Sequence, residues 1–397
     1  MALLASVFAA ASPDEIELAA AYLSGTVRQQ KLGVGWAALQ AASDREDADS
    51  TAVSPDDPTL FSDTEGRASP GGVELADVDA ALEQIARAGG KGSGATRRRL
   101  LRALVARLRE DERHFLFGLI MGELRQGALD ALVIEGVARA AGLPPDELRR
   151  AVMLSGDLPH AARAALTEGA AGLARIAVQM FRPVLPMLAG SADTIADAMA
   201  ELGEAALEWK LDGARVQIHK DGEFVRVFSR RLNEVTPAVP EIVEATRALP
   251  SRSLILEGEA IALRSDGTPH PFQTTMTRFG RRLDVDALRG TVPLTLFLFD
   301  LLYLDGVALL DAPLAERAAR LAETAPASLI VPRLVTASVE QAERFLVEAL
   351  AHGHEGLMAK GLDAPYEAGR RGRHWLKVKS VHTLDLVVLA AEWGHGR

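Results

Sequence analysis

The sequence predicts a multidomain chain: an all-α domain over residues 1–180, then an α+β domain built on antiparallel sheets over 181–383. Three observations predict it. Helix starts and glycine stops succeed one another from Ser12 to Glu168. At Phe181 the character changes to an extended, proline-punctuated run, Arg182-Pro183-Val184-Leu185-Pro186-Met187-Leu188-Ala189, a natural domain start. Beyond it, strand signals alternate with helices.

Taken in order, Ser12-Pro13-Asp14-Glu15 reads as a helix start, with Ser at the cap and Pro at the first helical position, and the helix is expected to stop at Gly25. Residues 44–72 are rich in Asp, Ser, Pro, Thr and Gly and read as a flexible acidic loop. Helices are expected over Leu75–Ala88, Thr96–Arg109, Glu112–Arg125, Leu129–Ala141, Asp146–Leu154 and Ala161–Glu168. Gly118 and Gly122 lie one turn apart, where a neighbouring backbone could approach, and Arg125 stands beside a helix end. That suits either a phosphate contact on a duplex or a tight helix crossing.

In the second half, helices are expected over Thr194–Leu202, Pro240–Ala248, Leu314–Ala322 and Val339–Ala351, and strands over Ser253–Leu263, Leu294–Leu304, Gly356–Lys360, Trp375–Val381 and Leu384–Ala391. Its centre is Glu208-Trp209-Lys210-Leu211-Asp212-Gly213-Ala214-Arg215, a strand that delivers a lysine to a turn and a strand that leaves with an arginine, closed by an Asp221-Gly222 hairpin turn. A lysine beside a Gly-containing turn leaves room for a phosphate; alone, it is equally a solvated surface lysine. Its partners decide. Glu257 and Glu259 sit two apart inside an apolar strand, hence on one face, and buried carboxylates need a cation. Glu355 opens an apolar strand that ends in Lys360, and Lys377 and Lys379 share a strand face.

Composition sets bounds. The chain has 397 residues, 48% hydrophobic and 25% charged, with no apolar run long enough for a membrane span. Met1–Ala11 is apolar but lacks a basic flank, so no secretory signal is expected. The lack of cysteine excludes disulfides and thiolate metal sites and fits a reducing, cytoplasmic location. Net charge is −10, which disfavours a nucleic-acid partner at first sight. Yet eight acidic residues and one arginine fall between Asp44 and Glu65, so much of the imbalance is local. His352-Gly353-His354 is the closest histidine pair, with no carboxylate or cysteine pattern to make it a zinc site.

The motifs Lys210-Leu211-Asp212-Gly213-Ala214-Arg215, Ser229-Arg230, Glu257-Gly258-Glu259, Phe297 to Gly306, Glu355-Gly356-Leu357-Met358-Ala359-Lys360 and Trp375-Leu376-Lys377-Val378-Lys379 resemble, in order and spacing, those of the ATP-dependent DNA ligases of the covalent nucleotidyltransferase superfamily. The resemblance covers most of the chain. It implies that residues 181–383 are an adenylation domain and 1–180 a helical DNA-binding domain, with Gly122 to Gly127 the most similar piece. It also implies three phosphoryl transfers: a lysine takes AMP from ATP, AMP passes to the 5′-phosphate of a nick, and the 3′-hydroxyl displaces it.

By this resemblance Lys210 is the nucleophile. A free lysine amine is protonated at neutral pH, so nearby cations, Lys377, Lys379 and a metal, are expected to favour its neutral form. Glu259 and Glu355 are expected to hold Mg²⁺ or Mn²⁺. Arg215 and Arg230 are expected on the ribose or the nick 5′-phosphate, Phe299 stacked on adenine, Glu208 along the adenine pocket, and Arg371 or Arg373 on phosphate. Arg97, Arg98 and Arg125 are expected on DNA. The implied substrate is nicked double-stranded DNA, bound by a monomer with no membrane contact. Family members continue into an oligonucleotide-binding barrel, and residues 384–397 are expected to be its first strand. Two other classes are compatible with the residues. One is an RNA ligase or a GTP-using capping-type nucleotidyltransferase; the other is a catalytically silent DNA-binding module.

Overall fold

The computed structural model of the chain describes residues 1–29, 32–43, 72–90, 92–124, 126–279, 285–367 and 371–379. Among the described residues the chain divides into two compact units, one within Met1–Val152 and Asp157–Ile176, the other within Met153–Gly156 and 177–379. No described helix is long and apolar enough to cross a membrane.

The first part is helical: α1 (Ala2–Ala10), α2 (Ile16–Leu23), α3 (Trp36–Ser43), α4 (Leu75–Arg87), α5 (Ser93–Arg107), α6 (Glu110–Met121), α7 (Gln126–Ala141), α8 (Pro145–Ser155) and α9 (Leu158–Ala174). The core follows from helical spacing. Ala81, Leu82 and Ile85 of α4 and Leu101, Leu104 and Val105 of α5 recur at three and four residues, so each helix turns one stripe inward. Ser12 does not cap a helix. Its N–H and Oγ both donate to Glu15 Oε2, at 3.1 and 2.8 Å, closing a turn that delays the helix to Ile16. Gly25 ends it with φ +78°, as the sequence suggested.

Gly118 and Arg97 both make contacts within the helical half. Gly122 terminates α6 at φ +68°, and Glu123 N–H donates back to Gly118 O at 2.9 Å. A Cβ on Gly118 would stand 3.3 Å from Leu124 Cδ2, so the small residue makes room for the helix's own returning chain. Arg97, expected on DNA, turns inward. Its Nε donates to Ile85 O at 3.3 Å and its Nη2 to Ala88 O at 2.6 Å, satisfying carbonyls left open at the end of α4. Arg98 is exposed on α5, whereas Arg125 and residues 44–71 lie outside the described residues.

The second unit holds two five-stranded sheets. Its elements are β1 (Leu188–Ser191), α10 (Ile195–Leu202), β2 (Ala205–Lys210), β3 (Ala214–Asp221), β4 (Phe224–Ser229), α11 (Pro240–Arg247), β5 (Ser253–Ala262), α12 (Phe272–Phe279), α13 (Val285–Thr291), β6 (Leu294–Leu304), β7 (Val307–Ala308), α14 (Leu314–Thr324), β8 (Arg333–Thr336), α15 (Val339–Ala351), β9 (Gly356–Gly361) and β10 (Arg371–Lys379). One sheet runs β1-β10-β9-β2-β8 and the other β4-β3-β5-β6-β7. Every strand pair is antiparallel except β1 with β10. The hairpin turn lies at Gly222-Glu223, one residue later than read, because Asp221 still pairs with Phe224.

Strand alternation decides what each face carries. In β2, β9 and β10 the residues Leu207, Leu357, Ala359, Leu376 and Val378 join the apolar core under α10 and α15. Their alternates, Glu208, Lys210, Lys360, Lys377 and Lys379, therefore share the opposite face. The chain from Lys210 to Ala214 leaves the first sheet and enters the second. A Cβ on Gly213 would stand 2.5 Å from Ala260 O, so only glycine lets this crossover lie against β5.

Candidate active site

A cavity of about 830 Å³ opens over that charged face, lined by Lys210, Glu259, Phe299, Glu355, Lys377 and Lys379 among others. Cross-strand register brings three of them together. Gly356 pairs with Lys210 on one side and Lys379 on the other, which sets Glu355 between the ends of β2 and β10. Glu355 Oε2 carries both ammonium groups, Lys379 Nζ at 2.8 Å and Lys210 Nζ in closer contact. Burial alone would raise the Glu355 carboxyl, but hydrogen bonds and charge from the two lysines outweigh it and hold it below the ordinary range. Lys210 is 19% exposed, enough to reach the cavity from a fixed strand end.

Two more carboxyls stand nearby. Burial pushes Glu259 up to about 7, against the pull of Arg215 and Lys210. Asp212 is raised by burial and then by the Glu355 carboxylate. Asp212 also raises Glu259, so Asp212 interacts with both glutamates around Lys210. No preformed cluster of three His, Cys, Asp or Glu ligands exists among the described residues. The set still fits Mg²⁺, which binds through one or two carboxylates, keeps waters and shares substrate phosphates.

Glu208 lines the cavity and is held on both oxygens. Arg333 donates Nε and Nη2 to its Oε1 at 2.8 and 2.6 Å, and Lys360 Nζ lies 2.6 Å from its Oε2. Lys360 is 1% exposed and also sits 4.6 Å from the Phe299 ring centroid and 4.1 Å from that of Trp375. Phe299 meets Trp375 edge-on at 6.1 Å, with one side of its ring toward the cavity lining. Phe299 is half-buried and also packs against the small apolar cluster of Leu211, Ile261 and Val331.

Arg215, expected on ribose or the nick 5′-phosphate, lines the cavity. Both terminal nitrogens are already engaged: Nη1 donates to Met187 O at 2.7 Å, and Nη2 to Glu257 Oε2 at 2.6 Å and Tyr366 Oη at 3.4 Å. Its guanidinium packs against the Phe299 and Trp375 rings, so it builds the cavity wall. Arg230 also lines the cavity, exposed beside β4. Arg371 opens β10, with its side chain outside the described residues, and Arg373 is exposed with its Nε 3.8 Å from Glu201. His352 and His354 flank the Trp209 ring at 4.8 and 5.1 Å, on the far side of β2 from Lys210.

Sequence reasoning missed Arg333, Tyr366 and Asp212. Arg333 lies on a four-residue strand with no readable period. Tyr366 sits in a loop, fully buried. Asp212 was visible inside the lysine motif, where an acidic residue so near Lys210 is itself a signal.

The family models agree with this geometry. The ATP dependent DNA ligase domain matches residues 186–379, and the DNA ligase N terminus matches residues 2–138. A "Probable DNA ligase" of Anaeromyxobacter sp. (strain Fw109-5) is 55% identical over 397 residues, covering 100% of this chain and 73% of its own length. This chain belongs to the ATP-dependent DNA ligase family. A second relative of the ligase, "Probable DNA ligase" of Sorangium cellulosum (strain So ce56), is 52% identical over 398 residues, covering 99% of this chain and 70% of its own length. The solved structure "Pmar-Lig_PreS3" matches the ligase with a TM-score of 0.53 over 95% of this chain and 74% of that one, at 16% identity, a likeness of fold. Neither the RNA-ligase or capping reading nor the silent-module reading is favoured by these matches.

Proposed function

We propose that Lys210 is the residue that takes AMP from ATP, and that the resulting lysyl-AMP is spent on sealing nicks in duplex DNA. The observation that carries this reading is the Lys210–Glu355–Lys379 arrangement in a cavity that Phe299 and Trp375 also line. Lys210 Nζ attacks the α-phosphorus, a P–N bond forms, and the P–O bond to pyrophosphate breaks. The Glu355 carboxylate touches Nζ and is the nearest acceptor for the proton the amine must lose. Lys377 and Lys379 offset the charge that builds on the α-phosphate. Phe299 stacks on adenine and Glu208, fixed by Arg333 and Lys360, accepts from the base's amino group. Arg230 and the arginines at the start of β10 meet ribose or phosphate.

Glu259 and Glu355, with Asp212 beside them, are the residues that would hold Mg²⁺, or Mn²⁺ in its place. The ion would supply charge neutralisation at the phosphates. We also propose that the helical half binds the nicked duplex through phosphates, with Arg98 and Arg125 among its contacts, and that the ligase works as a cytoplasmic monomer.

The test is mass spectrometry of the chain incubated with ATP and Mg²⁺. An AMP adduct on Lys210 is expected, absent from Lys210→Ala. An adduct on another residue, or none with ATP and one with GTP, would overturn the reading.

A further inference from the structure

Strand β3 carries Arg215, Gln217 and His219 at every second position, so one face of it presents a polar stripe to the interior. Gln217 is 3% exposed and His219 0%. The stripe grips the segment leading into β1. Phe181 N–H donates to His219 Nδ1 at 3.0 Å. Val184 N–H donates to Gln217 Oε1 at 2.8 Å, and Gln217 Nε2 donates back to Val184 O at 3.2 Å. Arg215 Nη1 donates to Met187 O at 2.7 Å.

The three side chains are also linked to one another. Because His219 Nδ1 accepts, its proton lies on Nε2, which donates to Gln217 Oε1 at 3.0 Å. Gln217 Nε2 reaches Glu257 Oε1 at 3.4 Å, and the other oxygen of Glu257 accepts from Arg215 at 2.6 Å. One connected path therefore runs from the backbone at Phe181 to the guanidinium in the cavity wall. At its far end Phe181 has φ +64°, a conformation unfavourable for an L-residue that persists only where surroundings hold it. Directly after the gripped segment, Leu188 and Ala189 line the cavity.

We infer that Gln217 and His219, which do not themselves line the cavity, are positioning residues for nucleotide binding: they fix residues 181–187 and, through Glu257, the orientation of Arg215. This rests on the reading that the cavity takes ATP and that Lys210 is adenylated. Breaking the path loosens the wall without touching the reacting atoms, so it weakens ATP binding more than it slows the chemical step.

The experiment compares the wild-type chain with Gln217→Leu, Gln217→Met, His219→Leu and His219→Asn. Lys220→Met is the control. Lys220 is buried on the same strand and donates to Arg247 O at 3.1 Å and to Leu249 O, carbonyls around the end of α11 that do not line the cavity. For each, thermal unfolding, calorimetric ATP affinity, and the KM and kcat of adduct formation are measured at a temperature where the variant is folded. Either Gln217 variant is expected to raise Kd and KM for ATP about 10-fold, the size of one lost buried hydrogen bond, with a smaller change in kcat. His219→Asn, which keeps an acceptor for the Phe181 N–H, is expected to fall between wild type and His219→Leu. Lys220→Met is expected to lose stability with unchanged KM. Unchanged Kd and KM in both folded Gln217 variants, or an equal rise in Lys220→Met, would overturn the inference. If the wild type binds ATP but forms no adduct, the Lys210 reading fails while the Kd comparison still decides the positioning roles. A wild type that binds no ATP overturns both.

Discussion

Glu355 holds two ammonium groups on one oxygen, so a change of one atom there alters the charge around Lys210. Glu355→Gln removes the acceptor for the Lys210 proton and is expected to slow adduct formation by about 10²–10³-fold. Lys210→Arg is expected to form no adduct at all, because a guanidinium stays protonated, while circular dichroism shows an intact fold. Measurable covalent AMP on the Arg variant would sink the nucleophile assignment. A second residue, His219, gives a pH signature. Burial pushes its imidazole down to about 3, so the fold keeps it neutral while the unfolded chain titrates near the ordinary 6.5. Its contribution to stability is therefore complete above pH 6.5 and is lost as pH falls toward 3. Each unit in that window costs roughly 1.4 kcal/mol, so about 3 kcal/mol separates pH 6.5 from pH 4.5. Urea unfolding of wild type and His219→Leu should show the wild type losing more over that interval. Parallel pH curves would refute the assignment of a neutral buried imidazole.

At the scale of elements, α14 docks on β6 through an ion pair with no solvent at either end. Arg317 donates Nε to Asp300 Oδ1 at 2.8 Å and Nη2 to Oδ2 at 3.1 Å, and both side chains are 0% exposed. Arg317→Ala would strand a buried carboxylate and is expected to destabilise the second unit by about 3–5 kcal/mol. The double variant Asp300→Leu/Arg317→Met is expected to lose less than either single truncation, which thermal unfolding can read. A double variant worse than both would mean the pair contributes more than mutual neutralisation. Asp300 drew no reading from the sequence, and its partner lies 17 residues on, on another element. The same limit governs the site. The charged face of β2, β9 and β10 was legible because each strand alternates, and alternation fixes which residues share a face. Arg333 was not, since its strand has four residues and its partner Glu208 lies 125 positions away. In the helical half, a run of three arginines looks like a phosphate contact throughout. Only the fold shows that the first of them reaches the carbonyls at the end of α4.

At the scale of the whole molecule the charge has to be reconciled with a polyanionic substrate. The net charge is −10, yet residues 44–65 hold eight acidic side chains against one arginine, so the rest of the chain is close to balanced. Binding of nicked duplex is then expected to rest on a limited set of cations, each adding about −0.9 to the slope of log affinity against log salt. The two neighbouring arginines of α5 give opposite expectations. Arg98 is exposed, so Arg98→Ala should weaken binding to all sequences alike and reduce the slope by about 1. Arg97 is committed to Ile85 O and Ala88 O, so Arg97→Ala should leave the slope unchanged and lower the stability of the helical unit by about 1–3 kcal/mol as those carbonyls lose their donor. Fluorescence anisotropy of a nicked duplex, titrated between about 50 and 200 mM salt, measures both slopes under the conditions where counterion release is resolved. A flat salt dependence in the wild type would remove the phosphate-contact reading of the helical half, and a slope that drops with Arg97→Ala would show that its guanidinium leaves α4 to meet DNA.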